Sequence, residues 1–250
     1  EKKYDEIDYS KIPSVAGMVY RGAFFRNDEM RYRKFLDSLE KGEVKVNAGT
    51  LYPSDIVGKI LNRWRVEEQE VKLFEGQWNN LPNFIGEKTE NSLVMADVSG
   101  SMSGTPMNVS IALAMYIAER NKGIFKDHFM TFSTKPSMVK IQGSNIVDKV
   151  NNISRADWDM STNIESALQT ILDVAVKNGL SNDDVVKKLY IISDMQFDSC
   201  TRGASVNIFK DMKHRFNSNG YDFPNIVFWN VNASGNQPMT MNEQGVQLVS

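Results

Sequence analysis

Apolar residues recur at spacings of three and four along roughly the first 90 residues and then gather into short unbroken runs, so the chain changes rhythm once. In the first part, Tyr32, Phe35, Leu36 and Leu39 fall on one side of a helix that Asn27 or Asp28 can cap and Gly42 can end. Pro53-Ser54-Asp55 starts a second helix carrying Ile56, Val57, Ile60 and Leu61. Val71, Phe74, Trp78 and Leu81 form the stripe of a third, over about residues 66–81. From Asn91 the runs Ser92–Ala96, Phe129–Phe132, Leu189–Ile192 and Ile226–Trp229 are apolar almost throughout, as strands buried on both faces are. Helical stretches at about 107–120, 163–178 and 204–219 lie between them, each long enough for a crossover. The alternation predicts an α/β domain with a mostly parallel sheet of about six strands and helices on both faces. In H-F-M-T-F-S-T-K-P-S-M-V-K-I-Q two strand-like runs are only a turn apart, which implies a hairpin and one antiparallel edge strand. A last short strand is expected at Val246–Val249. The chain thus divides into a helical extension, 1–90, and an α/β domain, 91–250.

Composition narrows this little. Hydrophobic residues make up 41% and charged residues 24%, ordinary values for a soluble ordered domain. No apolar run approaches the roughly 20 residues needed to cross a bilayer, so no membrane role is expected. With 29 basic and 31 acidic residues, no global field draws the chain toward nucleic acid or anionic lipid. The single cysteine, Cys200, forms no internal disulfide, and with His128 and His214 it makes no zinc site unless carboxylates join; a reducing, cytoplasmic setting is the expectation. The chain opens at Glu1 without a signal-like segment and reads as part of a longer protein.

The candidate chemistry lies in M-A-D-V-S-G-S-M-S-G, residues 95–104, between the first buried strand and a helix. Open α/β sheets bind ligands at such carboxyl ends of strands. A P-loop needs G-x-x-x-x-G-K-[ST], and both its spacing and its lysine are missing. In a nucleophile elbow, G-x-S-x-G, the middle residue would be serine, and here it is Met102. A haloacid-dehalogenase-type phosphotransferase would carry an aspartate two residues after the first, where Ser99 stands. The remaining reading is a metal: Asp97, Ser99 and Ser101, as D-x-S-x-S, offer a carboxylate and two hydroxyls, a hard oxygen set suited to Mg²⁺ or Mn²⁺, with Ca²⁺ a further candidate. Two later positions fit further ligands: Thr162, ahead of a helix in D-M-S-T-N-I-E, and Asp194, closing a buried strand in L-Y-I-I-S-D-M.

D-x-S-x-S, then a threonine, then an aspartate resembles the metal-ion-dependent adhesion site of von Willebrand factor A domains, over about residues 91–250. The resemblance implies their Rossmann-like fold, direct ligation by Ser99, Ser101 and Thr162, and action of Asp97 and Asp194 mostly through bound waters. It also implies an open position for an Asp or Glu of a partner protein, and binding rather than catalysis. The sequence departs from many relatives in having Met195 after Asp194, and Asp157, Asp159 and Asp198 bring extra carboxylates that read as solvated loop acids. More narrowly, D-Y-S-K-I-P-S-V-A, A-D-V-S-G-S-M and S-D-M-Q-F-D resemble an intracellular family related to the Ro (TROVE) ribonucleoproteins. In Ro proteins a ring of helical repeats grips RNA and a von Willebrand factor A domain closes it; about 90 helical residues are too few for a ring. RNA is therefore the alternative partner, through a phosphate at the metal or through the basic sets Arg31, Arg33, Lys34 and Lys210, Lys213, His214, Arg215. Trp64 and Trp78 are expected to anchor the helical extension to the α/β domain.

Overall fold

The computed structural model describes residues 3–84, 90–156, 163–194, 201–231 and 246–249. They form two compact units, Glu1–Phe84 with Gln142–Asn151, and Ile85–Ile141 with Asn152–Ser250.

The first unit contains α1 (Ser14–Asn27), α2 (Glu29–Glu40), α3 (Pro53–Leu61) and α4 (Glu68–Asn79). The last three are the helices that the apolar spacing predicts. Helix α1 was not signalled, because its apolar residues lie on opposite sides: Met18 and Phe24 are buried while Val15, Val19 and Tyr20 are exposed. No single stripe emerges. The core joins Leu36, Leu39 and Leu73 to an aromatic group in which the Tyr9 ring meets Phe24 and Tyr32 edge-on, centroids 5.3 and 4.9 Å apart. Such edge-to-face pairs add to the area they bury. Helices α2 and α4 approach closely at Gly76, where a Cβ would lie 2.5 Å from Leu39 Cδ2.

Two expectations need correction here, and one element is new. Asp28 does precede α2, but its carboxylate does not cap the helix; it accepts from the Tyr9 hydroxyl at 2.7 Å and from Arg31 at 2.9 Å. Trp78 is buried, whereas Trp64 is fully exposed and cannot serve as an anchor. A further helix, α6 (Ile146–Ser154), went unread although Ile146, Val150 and Ile153 are buried at helical spacing, because two turns give too short a pattern. The Glu75 carboxylate accepts from the free Ile146 N–H at 2.5 Å, satisfying one of the orphan amides at that helix start.

The second unit is a six-stranded sheet: β1 (Ser92–Ala96), β2 (His128–Thr131), β3 (Met138–Lys140), β4 (Lys188–Ser193), β5 (Asn225–Asn230) and β6 (Val246–Val249). Its order is β3-β2-β1-β4-β5-β6, and every pairing is parallel except β2 with β3. The antiparallel edge strand falls where the hairpin pattern puts it. Leu93, Met95, Leu189, Ile191, Ile226 and Phe228 point to one face, where α7 (Ile164–Lys177) and α8 (Thr201–Ser218) cover them with Leu168, Ile171, Met212 and Phe216. Helix α5 (Thr105–Ala118) packs against β1 on the other face, and its buried Ile111, Ala114 and Met115 stand outside that cluster. Among the described residues no helix is long and apolar enough to cross a membrane.

Candidate functional site

Chain direction across the sheet reverses at the middle: from β1 the chain moves to β2 and β3 on one side, and from β4 to β5 and β6 on the other. The carboxyl ends of β1 and β4 therefore border the crevice in which open α/β sheets hold ligands. Register sets those ends level, with Ala96 opposite Ile192 and also opposite Thr131 of β2.

Asp97 and Asp194 are the first residues past β1 and β4, and both are almost fully buried, at 3% and 2% exposure. The Asp97 N–H continues the ladder to the Ile192 carbonyl at 3.0 Å, which fixes the backbone from which its carboxylate projects. Oδ1 accepts from the Ser99 N–H at 2.9 Å, and Oδ2 accepts from the Ser193 hydroxyl at 2.9 Å. Burial pushes the Asp97 carboxyl above the ordinary carboxylate range; the Ser99 amide and hydroxyl and the Ser193 hydroxyl pull it back, and the Asp194 charge raises it further. Asp97 has no basic side chain as partner among the described residues.

The turn after Asp97 carries the two hydroxyls outward. Ser99 Oγ and Ser101 Oγ lie 3.1 Å apart, Ser99 half-buried and Ser101 exposed. A bond from the Met102 N–H to the Ser99 carbonyl at 3.0 Å tightens this turn. Gly104 then takes φ +89°, a left-handed conformation that suits glycine, before α5 starts. Neighbouring ligands of an octahedral Mg²⁺ at 2.0–2.1 Å stand about 3 Å apart, so the two hydroxyls have the separation of adjacent ligands. The acidic part of the set is a pair and the rest is hydroxyl; among the described residues no three His, Cys, Asp or Glu side chains gather as metal ligands.

Thr162 lies outside the described residues, as do Asp157, Asp159, Asp198 and Cys200. Asn163, which follows Thr162, is described: its N–H donates to the Ser133 carbonyl at 3.3 Å, just past the end of β2, and its side chain caps α7 through the Ser166 N–H at 2.9 Å. Residue 163 is thus held at the carboxyl edge of the sheet, beside the segment that follows β2, the neighbour of β1. The sequence reading missed Ser193 and Ser133. Ser193 was legible in principle, since it closes β4 one residue before Asp194; Ser133 matters through its carbonyl, which no side-chain motif reports.

The arginines of the basic sets are committed within the fold, whereas the lysine and histidine positions on α8 face outward. Arg31 donates to the carbonyls of Tyr4 and Ile7, both at 2.7 Å, and Arg33 pairs with Glu29 at 2.9 Å while lying over the Phe25 ring. On α8, Lys210, Lys213 and His214 are exposed, and Arg215 donates to Gln169 at 3.1 Å. His128 opens β2 and bonds the Lys126 carbonyl at 2.7 Å.

Two family models match successive parts of the chain. Residues 91–250 match the family described as domain of unknown function DUF7788, and residues 1–90 match domain of unknown function DUF2828. The uncharacterized protein L728 of Acanthamoeba polyphaga mimivirus is 33% identical over 265 residues, a match spanning 99% of this chain and 46% of that protein. Among solved structures, the Ro (RSR) protein of Deinococcus radiodurans superposes with a TM-score of 0.52 at 14% identity, over 89% of this chain and 46% of that one. At that identity the likeness is one of fold. The chain spans about half the length of each relative.

Proposed function

The chain belongs to the DUF7788 family, and we propose that its sheet unit is a divalent-cation-dependent module that captures a carboxylate of a partner protein. The observation that carries this reading is the pair of hydroxyls, Ser99 and Ser101, 3.1 Å apart beside a buried carboxylate that has no basic partner among the described residues. Such an arrangement suits Mg²⁺ or Mn²⁺, which needs hard oxygens at octahedral spacing. Ser99, Ser101 and Thr162 would hold the ion, and Asp97 and Asp194 would balance its charge through waters, as the resemblance to the adhesion site implies. Both Asp97 oxygens already accept hydrogen bonds from the protein, which favours that outer role.

The bound ion supplies a Lewis-acidic position for an anionic oxygen. A partner Asp or Glu fits it, and on this reading the site binds without catalysis, in the cytoplasm. Calorimetric titration of the whole chain with Mg²⁺ should show one saturable site, lost in a Ser99→Ala, Ser101→Ala double variant. A partner protein, once found, should lose binding when its ligating glutamate becomes alanine; retained affinity refutes the carboxylate step.

The fold likeness to a Ro protein supports a second reading, contact with RNA. Salt-sensitive RNA binding that survives loss of the metal ligands would favour it over the first.

A further inference from the structure

The helical unit holds a cavity of about 220 Å³ whose chemistry is unlike that of the sheet edge. Its lining includes Arg21, Arg26, Arg63, Tyr32, Glu67 and Glu70. Glu70 is buried in this lining: its Oε1 accepts from Arg21 Nε at 2.6 Å and from Arg63 at 2.5 Å, and its Oε2 accepts from the Glu67 N–H at 3.2 Å. The Glu67 carboxylate pairs with Arg65 at 3.7 Å. Glu70 is therefore committed inside the fold, while Glu67 and Arg65 form only a loose pair at the exposed rim.

The cations are not used up in the same way. Arg21, 9% exposed, spends Nε on Glu70 and Nη1 on the Met18 carbonyl, and among the described residues its Nη2 has no acceptor. Arg63 commits a single nitrogen, and Arg26 makes no hydrogen bond or ion pair among the described residues. Arg26 folds back along α1 over Gly22, where a Cβ would sit 3.4 Å from its Nη1. Tyr32 is 3% exposed and its hydroxyl has no partner among the described residues. The hydroxyl oxygen itself is solvent-accessible and opens on the cavity, where it can donate to a ligand.

We propose that this cavity binds a phosphate group, held by the unspent guanidinium donors of Arg21, Arg26 and Arg63 and by the Tyr32 hydroxyl. Three arginines against two glutamates leave a net positive lining, and guanidinium forks match tetrahedral oxyanions. The volume is below the roughly 300–1,000 Å³ of sites that enclose whole drug-sized ligands, so the group is a bare phosphate or the phosphate end of a small monoester. This site is independent of the cation site.

The test is calorimetric titration of the whole chain with inorganic phosphate and, separately, with adenosine 5′-monophosphate, at fixed ionic strength with a chelator present. One saturable site is expected, weakened about tenfold or more by Arg26→Gln and by Arg63→Gln, and less by Tyr32→Phe. Glu70 keeps Arg21 in the Arg63→Gln variant, and thermal unfolding checks that each variant is folded. Tighter binding of the nucleotide would assign the phosphate to a monoester, and equal binding to the phosphate alone. Absence of saturable binding to ten-millimolar phosphate, or binding unchanged in both arginine variants, would overturn the proposal and leave the cluster as an internal ion network.

Discussion

Each unit of this protein buries an acid, and the two are treated in opposite ways. In the helical unit Glu70 is neutralised from within, by Arg21 at 2.6 Å and Arg63 at 2.5 Å. In the sheet unit Asp97 is buried as deeply but meets only an amide and hydroxyls, with a second acid, Asp194, raising its pKa further. A buried charge with its counter-ion in the same fold is a closed arrangement. A buried charge held by neutral donors at a strand end, beside two outward hydroxyls, is open to a counter-ion from solution.

The largest expected effect breaks the closed arrangement. Glu70→Ala leaves Arg21 buried beside Arg63 with no acid between them, and should cost about 3–5 kcal/mol in denaturant unfolding. Next comes the open arrangement. Mg²⁺ at a hundredfold excess over its Kd should stabilise the protein by about 2.7 kcal/mol, roughly 5–10 °C in Tm, and the Ser99→Ala, Ser101→Ala variant should show none of this shift. An equal shift in that variant would place the ion elsewhere.

Gly76→Ala gives a packing reference free of charge. Its methyl would meet Leu39 at 2.5 Å, and overpacking of this kind costs about 1–3 kcal/mol with the cation response unchanged. The smallest effect has the opposite sign. Asp97→Asn removes a buried charge while keeping an acceptor for the Ser99 amide, so in chelator it should raise stability by about 1 kcal/mol and at the same time abolish the gain from Mg²⁺. A variant destabilised in chelator would show that the charge of Asp97 is already compensated.

The contrast between the units also explains what could be read from sequence. Strands β1, β4 and β5 were legible because central parallel strands are apolar on both faces, and the hairpin of β2 and β3 was legible from its short turn. Helix α1 was not, since apolar Val15, Val19 and Tyr20 face outward and erase the amphipathic stripe. Residues 142–151 group with the helical unit, a long-range association that no local pattern carries. At the candidate site, Asp97, Ser99, Ser101 and Asp194 announced themselves by motif and strand end. Their support by Ser193 comes from parallel register, which pairs Ala96 with Ile192 across 96 residues of chain. The cluster of Arg21, Arg63 and Glu70 joins two helices and the turn between α3 and α4, and no local pattern in the sequence brings these three residues together.

The most direct test of the open arrangement is to grow crystals with Mn²⁺ and collect anomalous diffraction. The account predicts one strong peak about 2.1–2.3 Å from both Ser99 Oγ and Ser101 Oγ, with Asp97 in the next layer of contacts. A map without a peak there, at Mn²⁺ concentrations that saturate the protein in solution, would contradict it.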